Sequence, residues 1–233
     1  MNVALIIGGG KGERTGIKVP KQFYTIFDKP VIVYTLEAFQ KHPDIDAIAV
    51  VCLEGWSQIL DSYAKQYRIN KLQWTFIGGE TGQASIRNGV YGLKGDLSPE
   101  DIIIVHDAVR PLVTHDIISE CIVTCKKYGS AVTSIRCAEA ILKSDNGIIS
   151  DESIPREFLY RTQTPQAFPL SLLLWAHEQA EKRGIVNSVA SCTLMAELGQ
   201  PIYLCNGSEK NIKITTIEDI EIVKALIKIE NER

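Results

Sequence analysis

Short stretches of this chain, residues 3–7, Ala47–Cys52 and residues 101–105, are apolar almost without interruption and rich in β-branched side chains. Runs of that length and composition read as strands buried on both faces, a burial that a parallel sheet covered by helices provides. Between them lie segments with apolar residues at helical spacing, at 30–40, 56–67, 85–93 and 116–127. Further strands are expected at 73–77, 130–135 and 202–205, and further helices at Leu170–Arg183, 191–198 and from 218 to about 229. The alternation predicts an α/β fold, a mostly parallel sheet flanked by helices. Ligands of such sheets bind beyond the carboxyl ends of the strands. That rule singles out the turns after Ile7, Ile77 and Val105.

The regular pattern breaks between residues 137 and 165. Two β-rich runs, Ile-Leu-Lys and Ile-Ile-Ser, surround a turn containing Asn146-Gly147, and predict a protruding hairpin arm. The arm reads as a surface feature or as a dimerisation arm. No linker, repeat or low-complexity tract is visible, so residues 1–233 are read as one domain carrying the arm.

A net charge of −3 supplies no global field for nucleic acid or anionic membranes, so phosphate binding must be local. No apolar run approaches the roughly 20 residues that span a bilayer. The opening MNVALIIGGG lacks a basic leader region, and no secretory leader is expected. The cysteines at 52, 121, 125, 137, 192 and 205 form no CxxC pair and read as buried thiols of a reducing compartment. A soluble, cytoplasmic protein is the expectation.

The first strand runs into Gly8-Gly9-Gly10-Lys11-Gly12-Glu13-Arg14, followed by Pro20-Lys21-Gln22-Phe23. Glycines let backbone N–H groups turn toward an anion and approach it closely. Arg14 and Lys21 add fixed positive charge to the same place. The spacing is not that of a Walker loop, since Gly12 follows Lys11 and Leu5 stands at the leading position. Nor is it G-x-G-x-x-G, because Glu13 occupies the last glycine position, and this disfavours an NAD-dependent oxidoreductase.

The loop resembles the signature of nucleotidyltransferases that form nucleotide sugars. In its Pro-Lys-Gln-Phe form it resembles the 2-C-methyl-D-erythritol 4-phosphate and ribitol-5-phosphate cytidylyltransferases. Further segments similar to theirs follow in order over nearly the whole chain: Gly78-Gly79-Glu80 with Ser85, His106-Asp107-Ala108-Val109-Arg110-Pro111, Gln163-Thr164-Pro165-Gln166, and Asn211-Ile212-Lys213-Ile214-Thr215. The resemblance implies a Rossmann-like nucleotidyltransferase fold and attack of a polyol phosphate on the α-phosphorus of CTP, with Mg²⁺ on the phosphate oxygens. It implies Arg14, Lys21 and Lys213 as catalytic, and Gly8, Gly9, Gly10, Gly12, Gly79, Glu80, Ser85 and Ala108 as CTP-binding. It implies Asp107, Arg110, Arg156, Thr164 and Lys213 as substrate-binding. Arg156 would reach the site of a second copy, which makes the partners CTP, a small polyol phosphate and a homodimer mate exchanging arms.

Asp107 keeps several readings: a substrate-hydroxyl contact, an outer contact of the metal, a helix cap, or an ion pair with Arg110. His106 is read as structural, and Trp56, Trp74 and Trp175 as packing. The acceptor side departs from the erythritol-phosphate pattern. Asn187-Ser188-Val189-Ala190-Ser191 stands for Thr-Asp-Glu-Ala-Ser, Ala140 for a Thr, and Gly82 for an Arg. Loss of hydroxyl and carboxylate partners changes which acceptor hydroxyls can be paired. The acceptor is therefore left open between ribitol 5-phosphate, the erythritol phosphate of isoprenoid synthesis, and another sugar phosphate for cell-surface polymers. A nucleotide-binding homologue without activity is the alternative from another class, and the basic residues Arg14, Lys21 and Lys213 argue against it.

Overall fold

The computed structural model describes residues 1–10 and 19–232. After β1 (Asn2–Gly8) come a 3-10 turn at Lys21–Phe23, the short pair β2 (Thr25–Ile26) and β3 (Lys29–Pro30), and α1 (Val31–Lys41). Next are β4 (Ala47–Cys52), α2 (Ser57–Gln66), β5 (Leu72–Ile77), α3 (Gly82–Leu93), β6 (Ile102–Asp107), α4 (His115–Tyr128) and β7 (Ala131–Arg136). The arm holds β8 (Ile141–Lys143) and β9 (Glu152–Ile154). The chain finishes with β10 (Tyr160–Pro169), α5 (Leu170–Arg183), α6 (Ser191–Glu197), β11 (Leu204–Asn206) and α7 (Ile217–Asn231).

Seven strands form the main sheet in the order β11-β7-β10-β6-β1-β4-β5. β1 is parallel to both β4 and β6, β4 to β5, and β7 to β11. β10 alone runs the other way, antiparallel to β6 and to β7. The period-two alternation of a strand divides the core between the two faces. Ala4, Ile6, Ile48, Val50 and Ile104 join one cluster under α1, α2 and α4. Val3, Leu5, Ala49, Val51 and Ile103 join the other under α3, α5 and α6. A third cluster, including Val109, Ile214 and Val223, docks α7 beside the end of β6.

Helix ends follow from local chemistry. The Thr81 hydroxyl accepts the Ala84 N–H at 3.0 Å and starts α3. Gly129 and Gly184, at φ 89° and 68°, end α4 and α5 in the left-handed region where a side chain would be strained.

The expected strands and helices are present; besides the short pair β2–β3, which was not expected, two differences bear on the site and the arm. β10 was not expected as a strand. Its register shifts between Thr162 and Gln166, and Pro165 sits in that irregular stretch, where no ladder N–H is required of it. The arm's pairing also differs from the expected one. Ile141 pairs with Ile154 and Lys143 with Glu152, so the second strand begins beyond Ile-Ile-Ser. The Asn146 carboxamide oxygen accepts the N–H groups of Ile148 and Ile149, and the Ser144 hydroxyl donates to the Ile149 carbonyl. Those bonds hold 144–151 as a wide loop and leave Ile148 and Ile149 exposed.

Candidate active site

Because β1, β4, β5 and β6 are parallel, their carboxyl ends lie along one edge of the sheet. β10, running the other way, brings its first half to the same edge, with Gln166 opposite Val105. A cleft of about 1340 Å³ opens there.

One end of the cleft is built from backbone. Gly8, Gly9 and Gly10 line it, facing Gly79, Glu80 and Ser85. The loops after β1 and β5 touch main chain to main chain: a Cβ on Gly9 would lie 2.9 Å from the Gly78 Cα, and one on Gly78 2.8 Å from the Gly9 Cα. Only glycine permits that approach. The Gly79 N–H donates to the Ser85 hydroxyl at 3.0 Å, which ties the loop to the first turn of α3. Lys21 lines the cleft from the 3-10 turn.

The other end is built from charged side chains. Asp107, at the tip of β6, accepts from Arg110 Nε at 3.1 Å on one oxygen and from Lys213 Nζ at 3.0 Å on the other. Burial pushes the Asp107 carboxyl up, but the Lys213 and Arg110 charges outweigh it and hold the group below the usual carboxylate range. Arg110 is fixed a second time by donating to the Asn211 carbonyl at 2.7 Å. The Asn211 side-chain amide donates to the Thr164 carbonyl at 2.8 Å, so one buried asparagine sets both neighbours.

His106 braces the same group from beneath. Its Nε2 faces the Arg110 carbonyl at 3.3 Å and must donate there, which leaves Nδ1 to accept from the Thr164 hydroxyl at 3.1 Å. The Thr164 oxygen in turn accepts the Asp107 N–H at 3.0 Å. Burial lowers the His106 pKa to about 4, in keeping with a neutral ring whose tautomer is set by its partners.

The cleft thus brings together Gly8, Gly9, Gly10, Lys21, Gly79, Glu80 and Ser85 with Asp107, Arg110, Thr164 and Lys213. Two expected residues stand elsewhere. Ala108 is fully buried, its N–H donating to the Ile7 carbonyl and its carbonyl accepting from Thr35, so it does not line the cleft. Arg156 lies on the arm and donates to the Ala138 carbonyl at 2.8 Å, away from its own chain's cleft. Gly12 and Arg14 lie outside the described residues.

Residues 2–229 match the family described as IspD, 2-C-methyl-D-erythritol 4-phosphate cytidylyltransferase. The chain belongs to the IspD family. It is thereby a nucleotidyltransferase. This IspD-family chain is 39% identical to a ribitol-5-phosphate cytidylyltransferase of Lacticaseibacillus paracasei, over 98% of each chain. It is 34% identical to a 2-C-methyl-D-erythritol 4-phosphate cytidylyltransferase of Clostridium tetani, over 97% of this chain and 90% of the other. The crystal structure of the Francisella tularensis 2-C-methyl-D-erythritol 4-phosphate cytidylyltransferase superposes with a TM-score of 0.78 at 28% identity, covering 97% and 99% of the two chains.

Two residues to which the sequence assigned no role, Gln166 within a motif and Gln83 outside any, brace the surroundings of the cleft. Gln166 is buried and accepts the Cys192 N–H at 3.0 Å, seating α6 against the cleft. Gln83 pins the wall 185–188 to α3 by donating to the Ile185 carbonyl and accepting the Ser188 N–H. The motif marked Gln166 without saying what it does, and a lone glutamine such as Gln83 carries no spacing rule. No helix among the described residues is long and apolar enough to cross a membrane.

Proposed function

We propose that this chain transfers CMP from CTP to a polyol phosphate and releases pyrophosphate, with ribitol 5-phosphate as the favoured acceptor. One observation carries the reading. β1 and β6 are neighbours, with Ile7 and Asp107 as register partners. The glycine turn and the Asp107–Arg110–Lys213 group therefore stand about one strand spacing apart, roughly 5 Å. Two phosphate-binding features that close suit a reaction in which one phosphate attacks another.

In this reading the turn at Gly8–Gly10 holds the triphosphate, and Glu80 with Ser85 borders the base. Arg110 and Lys213 hold the acceptor's phosphate. An acceptor phosphate oxygen forms a bond to the α-phosphorus while the bond to the bridging oxygen breaks and pyrophosphate departs. Charge grows on the leaving group, so Lys21, and Arg14 by family resemblance, act by fixed positive charge. Asp107, pinned by two cations, orients Arg110 and Lys213 until the acceptor arrives, and its backbone N–H fixes Thr164.

Mg²⁺ belongs to this proposal as a companion of the triphosphate, since magnesium is commonly held by substrate phosphates and only a few protein carboxylates. Asp107 does not fit as its ligand in the present arrangement, because both carboxylate oxygens are engaged by cations. Among the described residues no three His, Cys, Asp or Glu side chains converge as a cage.

The ribitol preference rests on relatives of that name at 35–39% identity and on Val189 in the cleft wall, where the erythritol-phosphate pattern has an acid. Val189 is 89% exposed and offers no polar partner to a hydroxyl. We place Arg156 in the cleft of a second copy. Leu142, Ile148, Ile149 and Phe158 on the arm are exposed at 65–87% and would be covered by a mate. A cytoplasmic location suits six free, buried thiols.

The test is pyrophosphate release with CTP and Mg²⁺ against a panel of acceptors. Turnover with ribitol 5-phosphate is expected; none with any polyol phosphate would refute the reading. The dimer is checked by mixing Lys21→Ala with Arg156→Ala protein. Shared sites restore part of the activity, and unshared sites do not.

A further inference from the structure

Gln22 is a buried amide in a position that packing alone does not explain. It is 2% exposed, and its Nε2 donates to the carbonyls of both Gly8 and Gly10, at 2.7 and 3.0 Å. Each hydrogen of the amide is thereby used on one side of the glycine turn. The carbonyl of Gly8 and the N–H of Gly9 share a rigid peptide plane and point in opposite directions. Holding that carbonyl toward Gln22 turns the Gly9 N–H away from Gln22. Glycine has no side chain to restrict its backbone, so the turn needs an external hold to keep this orientation.

The 3-10 turn carrying Gln22 sends consecutive side chains to separate places. Lys21 lines the cleft, Gln22 grips the glycine turn, and Phe23 stacks on Trp56 with ring centroids 4.6 Å apart. The Phe23 N–H closes the turn on the Pro20 carbonyl at 2.8 Å. Phe23 and Trp56 anchor the unit in the core, and Gln22 transmits that anchorage to the anion loop.

We infer that Gln22 is a positioning residue that holds the carbonyls of Gly8 and Gly10 back, presets the loop for the β- and γ-phosphates of the nucleotide, and fixes its register with Lys21. The inference rests on the proposed triphosphate role of that loop. Gln22 itself touches no reacting atom. Its effect therefore falls on the polyphosphate part of the nucleotide and on kcat, not on the acceptor.

The experiment compares Gln22→Met, which keeps the volume and removes both donors, with the unaltered chain. Calorimetry with Mg²⁺ measures the Kd for CTP and for CMP, and steady-state rates give KM for each substrate. Loss of two hydrogen bonds and freeing of the loop should weaken CTP by about tenfold or more. CMP should weaken by less than about threefold, kcat should fall, and the acceptor KM should hold within the same margin. If Gln22→Met fails to fold, Gln22→Asn is measured instead, because its shorter amide cannot span both carbonyls. A lowered melting temperature with an unchanged ratio of CTP to CMP affinity would overturn the inference, since Gln22 would then serve stability alone. Should the unaltered chain bind CTP no more tightly than CMP, the triphosphate reading itself would fall.

Discussion

The two ends of the cleft are made of different material. The end proposed for the nucleotide is main chain, where Gly9 and Gly78 press together and no side chain fits between them. The end proposed for the acceptor is side chain, where Asp107, Arg110, Lys213, Thr164 and Asn211 hold one another. A backbone site depends on the loop path and tolerates few substitutions. A side-chain site can be retuned one group at a time without moving the fold. On the proposed assignment, that contrast fits the names of the relatives, cytidylyltransferases of two different acceptors.

The sharpest way to break the comparison is at Lys213. Lys213→Ala should raise the acceptor KM by about 10–100-fold, as for the loss of a hydrogen bond between charged groups worth about 1.5–3 kcal/mol, with KM for CTP nearly unchanged. A large rise in KM for CTP instead would erase the division into two ends. Next is Gly9→Ala, whose Cβ would lie 2.9 Å from the Gly78 Cα. Overpacking of this kind costs about 1–3 kcal/mol. The expected result is a lower melting temperature and a raised KM for CTP, with the acceptor KM unmoved.

Acid should act on both ends through the fold. His106 and His177 are buried, and that burial lowers each pKa to about 4 from an ordinary value of 6.5. Between those values the unfolded chain binds protons that the folded chain does not. Stability is therefore full above about pH 6.5 and falls as pH drops toward 4, by about 3 kcal/mol for each histidine. His177 has neither ring nitrogen partnered and packs edge-on to Tyr91, away from the cleft. Denaturant titrations of His177→Leu across that window should show a shallower loss than the unaltered chain; an identical slope would remove His177 from the account. The smallest effect is expected at Arg161, whose ion pair with Glu209 is exposed on both sides. Arg161→Ala should change stability by less than about 0.5 kcal/mol and leave both KM values alone. A raised acceptor KM would extend the side-chain end to this residue.

The same contrast governs what could be read from the amino acids. The backbone end was legible, because a glycine run after an apolar strand is a local signal with a local cause. Most strands and helices were legible through periodicity. The acceptor end was legible only in part. The strand-end rule pointed to the turn at Asp107, but Arg110, Thr164 and Lys213 came from resemblance to a family, since the group draws on three segments far apart in the chain. Ala108, read as a nucleotide contact, lies in the core instead of on the cleft wall, because a residue beside Asp107 points to the opposite side. β10 escaped notice because its polar first half serves the cleft and its proline interrupts the strand pattern. Gln22 and Asn211 stood in motifs, but their roles did not show, because they act on carbonyls and carbonyl partners leave no trace in a one-dimensional pattern.

Threading β10 between β6 and β7 has a consequence for the order in which the molecule comes into being. During synthesis, β6 and β7 emerge well before residues 160–169, so the sheet has an open seam until the arm has been made and the chain has doubled back. The strand that closes the seam also carries Thr162, Gln163, Thr164 and Gln166 into the cleft. Closing that seam and delivering these residues to the cleft are then a single event, while the parts of the wall at residues 189–191 and at Lys213 are still to be made.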